Sequence, residues 1–304
     1  MIAVCLASCV NRIDIPEEED AMLFIKMEML RGDNTIIADF KTTDNLNGTY
    51  PINVPPDATI RVFELTEGVK EKQITFLYDD EIQKYVAKSV SHDFLIPGRN
   101  YKLEAETDNP NLDPITSITK VPYLNKISEY ELIDETEYED LEGNRFWEGT
   151  VGFTFSEAIT LEKRYGHLLI EGFETIIVEG LPQFGLESRF FELINVNEGY
   201  GAVTDIIHRD GFFVEFDELE NNYLEIVLRS KFPITKENQV TDYLDTNLIT
   251  VSKEHYDYHI SFHNIQQSQG NIFEENVIYI SNIEKGLGLF SSCVRMKEMI
   301  DLRK

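Results

Sequence analysis

From residue 22 onward, apolar and polar residues alternate with a period of two, the pattern of strands that bury one face. Seven such runs fill the first part of the chain: 22–29 (MLFIKMEM), 35–40 (TIIADF), 58–65 (ATIRVFEL), 72–79 (KQITFLYD), 82–88 (IQKYVAK), 100–106 (NYKLEAE) and 115–121 (ITSITKV). Turn-forming residues separate most of them: Arg31-Gly32-Asp33-Asn34, Asn47-Gly48, Pro55-Pro56-Asp57, Pro97-Gly98 and Asn109-Pro110. Short strands at this density predict an immunoglobulin-like or transthyretin-like sandwich over 22–122, closed by Pro122. Beyond it, strands are expected at 145–155, 167–172, 202–208, 211–216, 222–230, 247–252 and 275–281. One helix is expected, from Ser252 as N-cap to about residue 268. The fold class is therefore mainly β: an N-terminal sandwich followed by a second β-rich domain, 123–304, with one helix laid across it.

Composition narrows the partners. The 304 residues are 42% hydrophobic, enough for two cores. With 27 basic against 55 acidic residues the formal charge is −28, which opposes any partner bound through its phosphates and rules against nucleic acid. After residue 9 no window approaches the roughly 18 consecutive apolar residues of a spanning helix, so membrane attachment is expected only through the N-terminus.

That N-terminus reads Met1-Ile2-Ala3-Val4-Cys5-Leu6-Ala7-Ser8-Cys9. Leu6-Ala7-Ser8-Cys9 resembles the lipobox of bacterial lipoproteins, in which the signal peptidase cleaves before the Cys and the Cys is acylated. The resemblance implies a signal-peptide remnant over 1–8, a lipid on Cys9, and a tether over 9–21 that carries Glu17-Glu18-Glu19-Asp20. No Lys or Arg precedes Cys9, so the basic start of a signal peptide is expected upstream. With Cys5 removed and Cys9 acylated, Cys293 is left as a lone thiol, and the absence of CxxC excludes a redox pair or a structural zinc site of that type.

The C-terminal stretch carries a wider resemblance. Ser252, Tyr256, Tyr258, Gln267, Phe273, Glu274, Ser281-Asn282-Ile283 and Gly286-Leu287-Gly288 with Phe290 resemble the signature of a Bacteroidota lipoprotein family, domain of unknown function 4249. "IPGRNYKLEAET" and "ITKVP" are similar to that family's Pro-Gly-x-x-Tyr-x-Leu strand and closing Val-Pro. The resemblance implies an outer-membrane lipoprotein associated with TonB-dependent, SusC-like transporters, and no catalytic residues. Gly286 and Gly288 themselves read as positions of positive φ or close backbone approach.

Candidate chemistry is sparse. His255, His259 and His263, at i, i+4 and i+8, lie within about 80° of one face of a helix, near enough for two neighbours to share a metal. Tyr258, Phe262 and Ile265 flank that stripe on one side and Tyr256 and Ile260 on the other, so packed histidines are the plainer expectation and no metal ligand is assigned. The acidic segment 128–143 lacks the spacing of an EF-hand loop and reads as a solvated edge or loop. "HRDGF" at 208–212 echoes a kinase loop without the kinase's other motifs, and "RGD" at 31–33 is turn chemistry.

The expectation is thus a non-enzymatic, lipid-anchored protein of the outer membrane, on the extracellular rather than the periplasmic face, serving as accessory or substrate-capture partner of a TonB-dependent barrel. No cofactor is expected beyond the lipid on Cys9. Trp147, Phe212 and Phe213 make the second domain the expected docking surface. Two other readings stand beside it: a metal-dependent surface hydrolase, and a structural component of an outer-membrane assembly or secretion complex.

Overall fold

The structure is a computed structural model that describes residues 22–43, 55–157, 162–178, 181–184, 191–196, 202–204, 210–230, 233, 238–268 and 280–301; of these, 171–204, Asp210, Phe212, 238–243 and 262–268 are described in backbone only. The lipobox and tether, residues 205–208 of the strand expected at 202–208, residues 208–209 of the kinase-like motif and 275–279 of the last expected strand lie outside the described residues.

Alternation becomes a buried wall in β1 (Met22–Leu30), where Leu23, Ile25, Met27 and Met29 are each at most 1% exposed. A turn over Arg31-Gly32-Asp33-Asn34, with Gly32 at φ +95°, returns the chain into β2 (Thr35–Thr43). There follow β3 (Thr59–Thr66), β4 (Val69–Thr75), β5 (Leu77–Asp79), β6 (Lys84–Lys88), β7 (Asn100–Glu106) and β8 (Ile115–Lys120). The single strand expected over 72–79 is two, because the chain changes sheets at Phe76. That side chain is 2% exposed and its N–H bonds Ile60 O at 3.1 Å.

The second region holds β9 (Ile127–Glu139), β10 (Arg145–Phe155), β11 (Tyr165–Val178), β12 (Leu181–Phe184), β13 (Phe191–Val196), β14 (Ala202–Thr204) and β15 (Asp210–Glu215). After two short 3-10 turns come β16 (Tyr223–Ser230), β17 (Asn238–Val251), the helix α1 (Lys253–Ser268) and β18 (Gly286–Asp301). The acidic 128–143 segment is thus largely an exposed edge strand, β9, paired on one side with β10. The mainly β class expected from the pattern holds, with α1 the one α-helix among the described residues.

Three sheets build the body. A ten-stranded sheet runs β14-β15-β11-β17-β18-β1-β2-β6-β5, with β12 added to β11. Two four-stranded sheets, β4-β3-β7-β8 and β13-β16-β10-β9, complete it. The first packs with β1, β2 and β6 around Ile25, Phe40, Tyr85, Tyr101 and Leu103. The second packs with β11, β15, β17 and β18 around Trp147, Phe153, Phe216 and Leu248. One continuous sheet therefore walls two cores. Its middle strand, β18, serves both: Phe290 and Val294 belong to the first core and Ile300 to the second. The first core accordingly extends past Pro122 to the far end of the sequence.

The joint between the halves is a parallel pairing of β1 with β18, Leu23 opposite Gly286 through Leu30 opposite Cys293. Both reasons for glycine operate here. A Cβ at Gly286 would lie 2.6 Å from Leu23 O; one at Gly288, where φ is +121°, would lie 1.9 Å from Ile25 O. Past Pro122, Arg164 gathers segments of the second region: it donates to Ser156 O at 3.0 Å, Asn125 Oδ1 at 3.4 Å, Asn222 Oδ1 at 2.9 Å and Asp217 Oδ1 at 3.1 Å.

Candidate functional site

The small sheets cover one face of the large sheet, and α1 packs on the other. Ser252 starts the helix: its O accepts from Tyr256 N at 3.2 Å, and its N–H bonds Ser292 O at 3.0 Å, fastening the first turn to β18. Lys253 and Asp257 pair at i,i+4 on the outer side. His255, Tyr258 and Ser261, three residues apart each time, turn inward with 6%, 7% and 4% exposure.

Alternation along β1 sends Lys26 and Glu28 to this same face, away from the core residues Ile25 and Met27. Glu28 meets the helix there. Its Oε1 lies 3.3 Å from His259 Nε2 and 3.0 Å from Lys26 Nζ. The His255 and His259 rings adjoin with centroids 4.5 Å apart, and one ligand atom from each of Glu28, His255 and His259 falls within 4.8 Å of the others. His255 Nδ1 sits 3.3 Å from Ser291 Oγ of β18. Phe213 of β15 stacks on His259 at 5.5 Å and on His167 of β11 at 4.3 Å, so an aromatic layer continues from the cluster across the sheet.

Electrostatics follow from this burial. Desolvation lowers the His255 pKa to about 3, against the opposing pull of Glu28, so the ring is neutral at physiological pH. Burial pushes the Glu28 carboxyl up, but the hydrogen bond from His259 and the Lys26 ammonium, joined by His255 only when that ring is protonated, outweigh it and hold the group well below the usual carboxylate range. Two imidazoles and a carboxylate presented together form a donor set for a transition metal.

Of the three histidines expected on one stripe, the structure brings His255 and His259 together; the His263 side chain lies outside the described residues. Sequence reasoning missed Glu28, which read as the solvated face of a strand, and His167, whose strand was expected but given no chemistry. Cys293 is buried under the helix at 7% exposure, and desolvation raises its thiol pKa far above the ordinary value. Two of the three expected docking aromatics are buried. Trp147 is 6% exposed in the second core, with its indole N–H donated to Glu135, and Phe213 is 4% exposed within the histidine layer. The Phe212 side chain lies outside the described residues.

Beside the first turn of α1 is a cleft of about 370 Å³, lined by Lys120, Lys163, Arg164 and Lys253 among others. Each of these cations is already paired, with Glu162, Glu215, Asp217 and Asp257 respectively, so the cleft offers no free positive charge.

Among solved structures, the chain is similar to the collagen-binding domain of the Erysipelothrix rhusiopathiae surface protein RspB, at 9% identity over 91% of this chain and 97% of that one, with a TM-score of 0.19. It is similar to the major pilin SpaD of Corynebacterium diphtheriae at 7% identity, covering 78% of this chain and 62% of the pilin, TM-score 0.16. The T6 backbone pilin of serotype M6 Streptococcus pyogenes matches at 9% identity over 92% of this chain and 64% of the pilin, TM-score 0.17. No curated protein matches. The profile of the family described as Domain of unknown function (DUF4249) matches residues 11–298, nearly the whole sequence, and the chain belongs to that family.

Proposed function

We propose that this chain is a non-enzymatic, lipid-anchored outer-membrane protein that captures or presents substrate for a TonB-dependent, SusC-like barrel. The observation that carries the reading is Leu6-Ala7-Ser8-Cys9 followed by an acidic tether, ahead of a β body in which no helix of the described residues is long and apolar enough to cross a membrane. Acyl chains on Cys9 contribute about 0.8 kcal/mol per buried methylene, so more than one chain anchors durably. Thirteen residues from Cys9 to β1 reach at most about 45 Å, which lets the body stand clear of the headgroups. The extracellular face is the preferred side.

A docking row for the barrel lies at the free edge of the large sheet. Ile37 and Leu77, 45% and 73% exposed, flank the buried Val86 in register across β2, β6 and β5, on the face away from the core. The test is palmitate labelling in cells together with a mild-detergent pull-down and mass spectrometry. The anchored protein should take up label and recover a stoichiometric barrel; Cys9→Ala should lose the label, and Ile37→Asp with Leu77→Asp should lose the barrel while unfolding normally. Absence of label on the unaltered chain, or recovery without a barrel, overturns the reading. Recovery with assembly or secretion components instead would favour the structural role. The metal-dependent hydrolase is favoured only by the Glu28–His255–His259 group, and it requires turnover of a surface polymer that His259→Ala abolishes.

A further inference from the structure

We propose that Glu28, His255 and His259 form a binding site for one divalent transition-metal ion of the zinc class, bridging β1 and α1. The proposal is independent of the transporter reading. Its residues come from elements 227 positions apart, Glu28 to His255, and the fold alone brings them together.

Spacing is the first argument. Zinc bonds of about 2.0–2.2 Å to nitrogen and oxygen, directed tetrahedrally, place neighbouring ligand atoms roughly 3.3–3.5 Å apart. His259 Nε2 and Glu28 Oε1 are already at 3.3 Å, and the full set lies within 4.8 Å. The remaining closure is of the order that rotation of the Glu28 carboxylate supplies, since that side chain is 33% exposed. The same 3.3 Å is long for a charge-assisted hydrogen bond, which sits near 2.7–2.9 Å, so the pair is not a tightly formed ion pair.

Donor chemistry is the second. Two imidazoles with one carboxylate suit zinc and its neighbours and ill suit calcium or magnesium, which require mostly oxygen ligands. Metal binding takes imidazole in its neutral form, so the site should fill less readily as pH falls. Three protein ligands leave a fourth position, and the partial exposure of Glu28 and His259 opens it toward solvent. An outer shell is also in place: Ser291 beside His255 Nδ1, and the Phe213 face on His259, fix the ring orientations.

Lys26 is the competitor. Its ammonium stands 3.0 Å from the Glu28 oxygen, where a cation is favoured, and 5.8 Å from the centroid of the Tyr258 ring, toward which an arriving ion would displace it.

The experiment uses the full chain carrying Cys9→Ala, stripped with a chelator and titrated with Zn²⁺ by calorimetry, with Co²⁺ absorption as a report on geometry. One equivalent should bind, with the intense visible bands of four-coordinate cobalt. Glu28→Gln and His259→Ala should each weaken binding by more than the roughly 10–100-fold that loss of an outer-shell partner costs. Lys26→Met should tighten it, which a merely structural ion pair would not do. His92→Ala, an exposed histidine on the turn beside Gly32, should bind as the parent. Circular dichroism of each variant separates lost ligation from lost fold. Binding below one equivalent, or Glu28→Gln and His259→Ala binding like the parent, overturns the proposal.

Discussion

Replacing Gly288 with alanine tests how tightly the two halves are joined. A Cβ there would start 1.9 Å from Ile25 O, and real Cβ contacts stay beyond 3.0 Å, so β1 must retreat by about 1.1 Å. Three effects add. Holding alanine at φ +121° costs about 1–3 kcal/mol. Retreat of β1 breaks the neighbouring rungs of the parallel ladder, each worth about 1 kcal/mol net. Displacing Ile25 and Met27, both 0% exposed, strains a packed core by about 1–3 kcal/mol. The sum, roughly 4–8 kcal/mol with two rungs lost, is a large share of the 5–15 kcal/mol that holds a typical domain. Gly143 supplies the control: its φ is +84°, but an added Cβ meets nothing within 4 Å, so Gly143→Ala should cost only about 1–2 kcal/mol. Urea unfolding followed by Trp147 fluorescence measures both, with pulse proteolysis for a variant too unstable for a full baseline. A Gly288→Ala loss within 1 kcal/mol of the Gly143→Ala loss would refute the tight seam.

Three further outcomes are expected. Arg164→Ala, which strands Asp217, Asn125 and Asn222 behind a side chain only 11% exposed, should lower stability by about 3–5 kcal/mol, and Arg164→Lys should recover less than half because one ammonium cannot span four acceptors; chemical denaturation of the three proteins checks this. Because β18 belongs to both cores, unfolding of the first half, read by near-ultraviolet dichroism of Tyr85 and Tyr101, should coincide with that of the second, read by Trp147, and two separate midpoints would contradict the shared strand. With Cys5 and Cys9 replaced by alanine, Cys293 should resist alkylation in native buffer and become labelled along the same urea curve; rapid native labelling would show the helix lifting away from the sheet.

Much of the β architecture was legible because most strands bury one face only. In β1 and β7 the period of two survives residue by residue, and the turns between strands carry glycine, proline or asparagine for stated backbone reasons. β18 was not legible. From Gly288 to Val294 every residue is buried, with cores on one side and α1 on the other, so alternation disappears and Gly, Ser and Cys stand where a strand pattern wants branched residues. The helix and the proximity of His255 to His259 followed from spacing along the chain. Glu28 did not, since its partners arrive only through the β1–β18 pairing, and within β1 alone a charged residue between two apolar ones looks like solvated surface. Trp147 is buried rather than displayed for the converse reason: it has a carboxylate for its N–H inside the fold, and burial then wins.

The placement of β18 also sets an order of events. In a chain made from its N-terminus, about 180 residues separate the end of β8 from the end of β18, and synthesis at about 5–20 residues per second takes roughly 10–35 s to cover them. Throughout that interval the N-terminal half lacks Phe290 and Val294, and one edge of β1 has no ladder partner. The half that emerges first is therefore the half that must wait, open to holding chaperones, and the whole molecule closes in one late step when its last strand arrives.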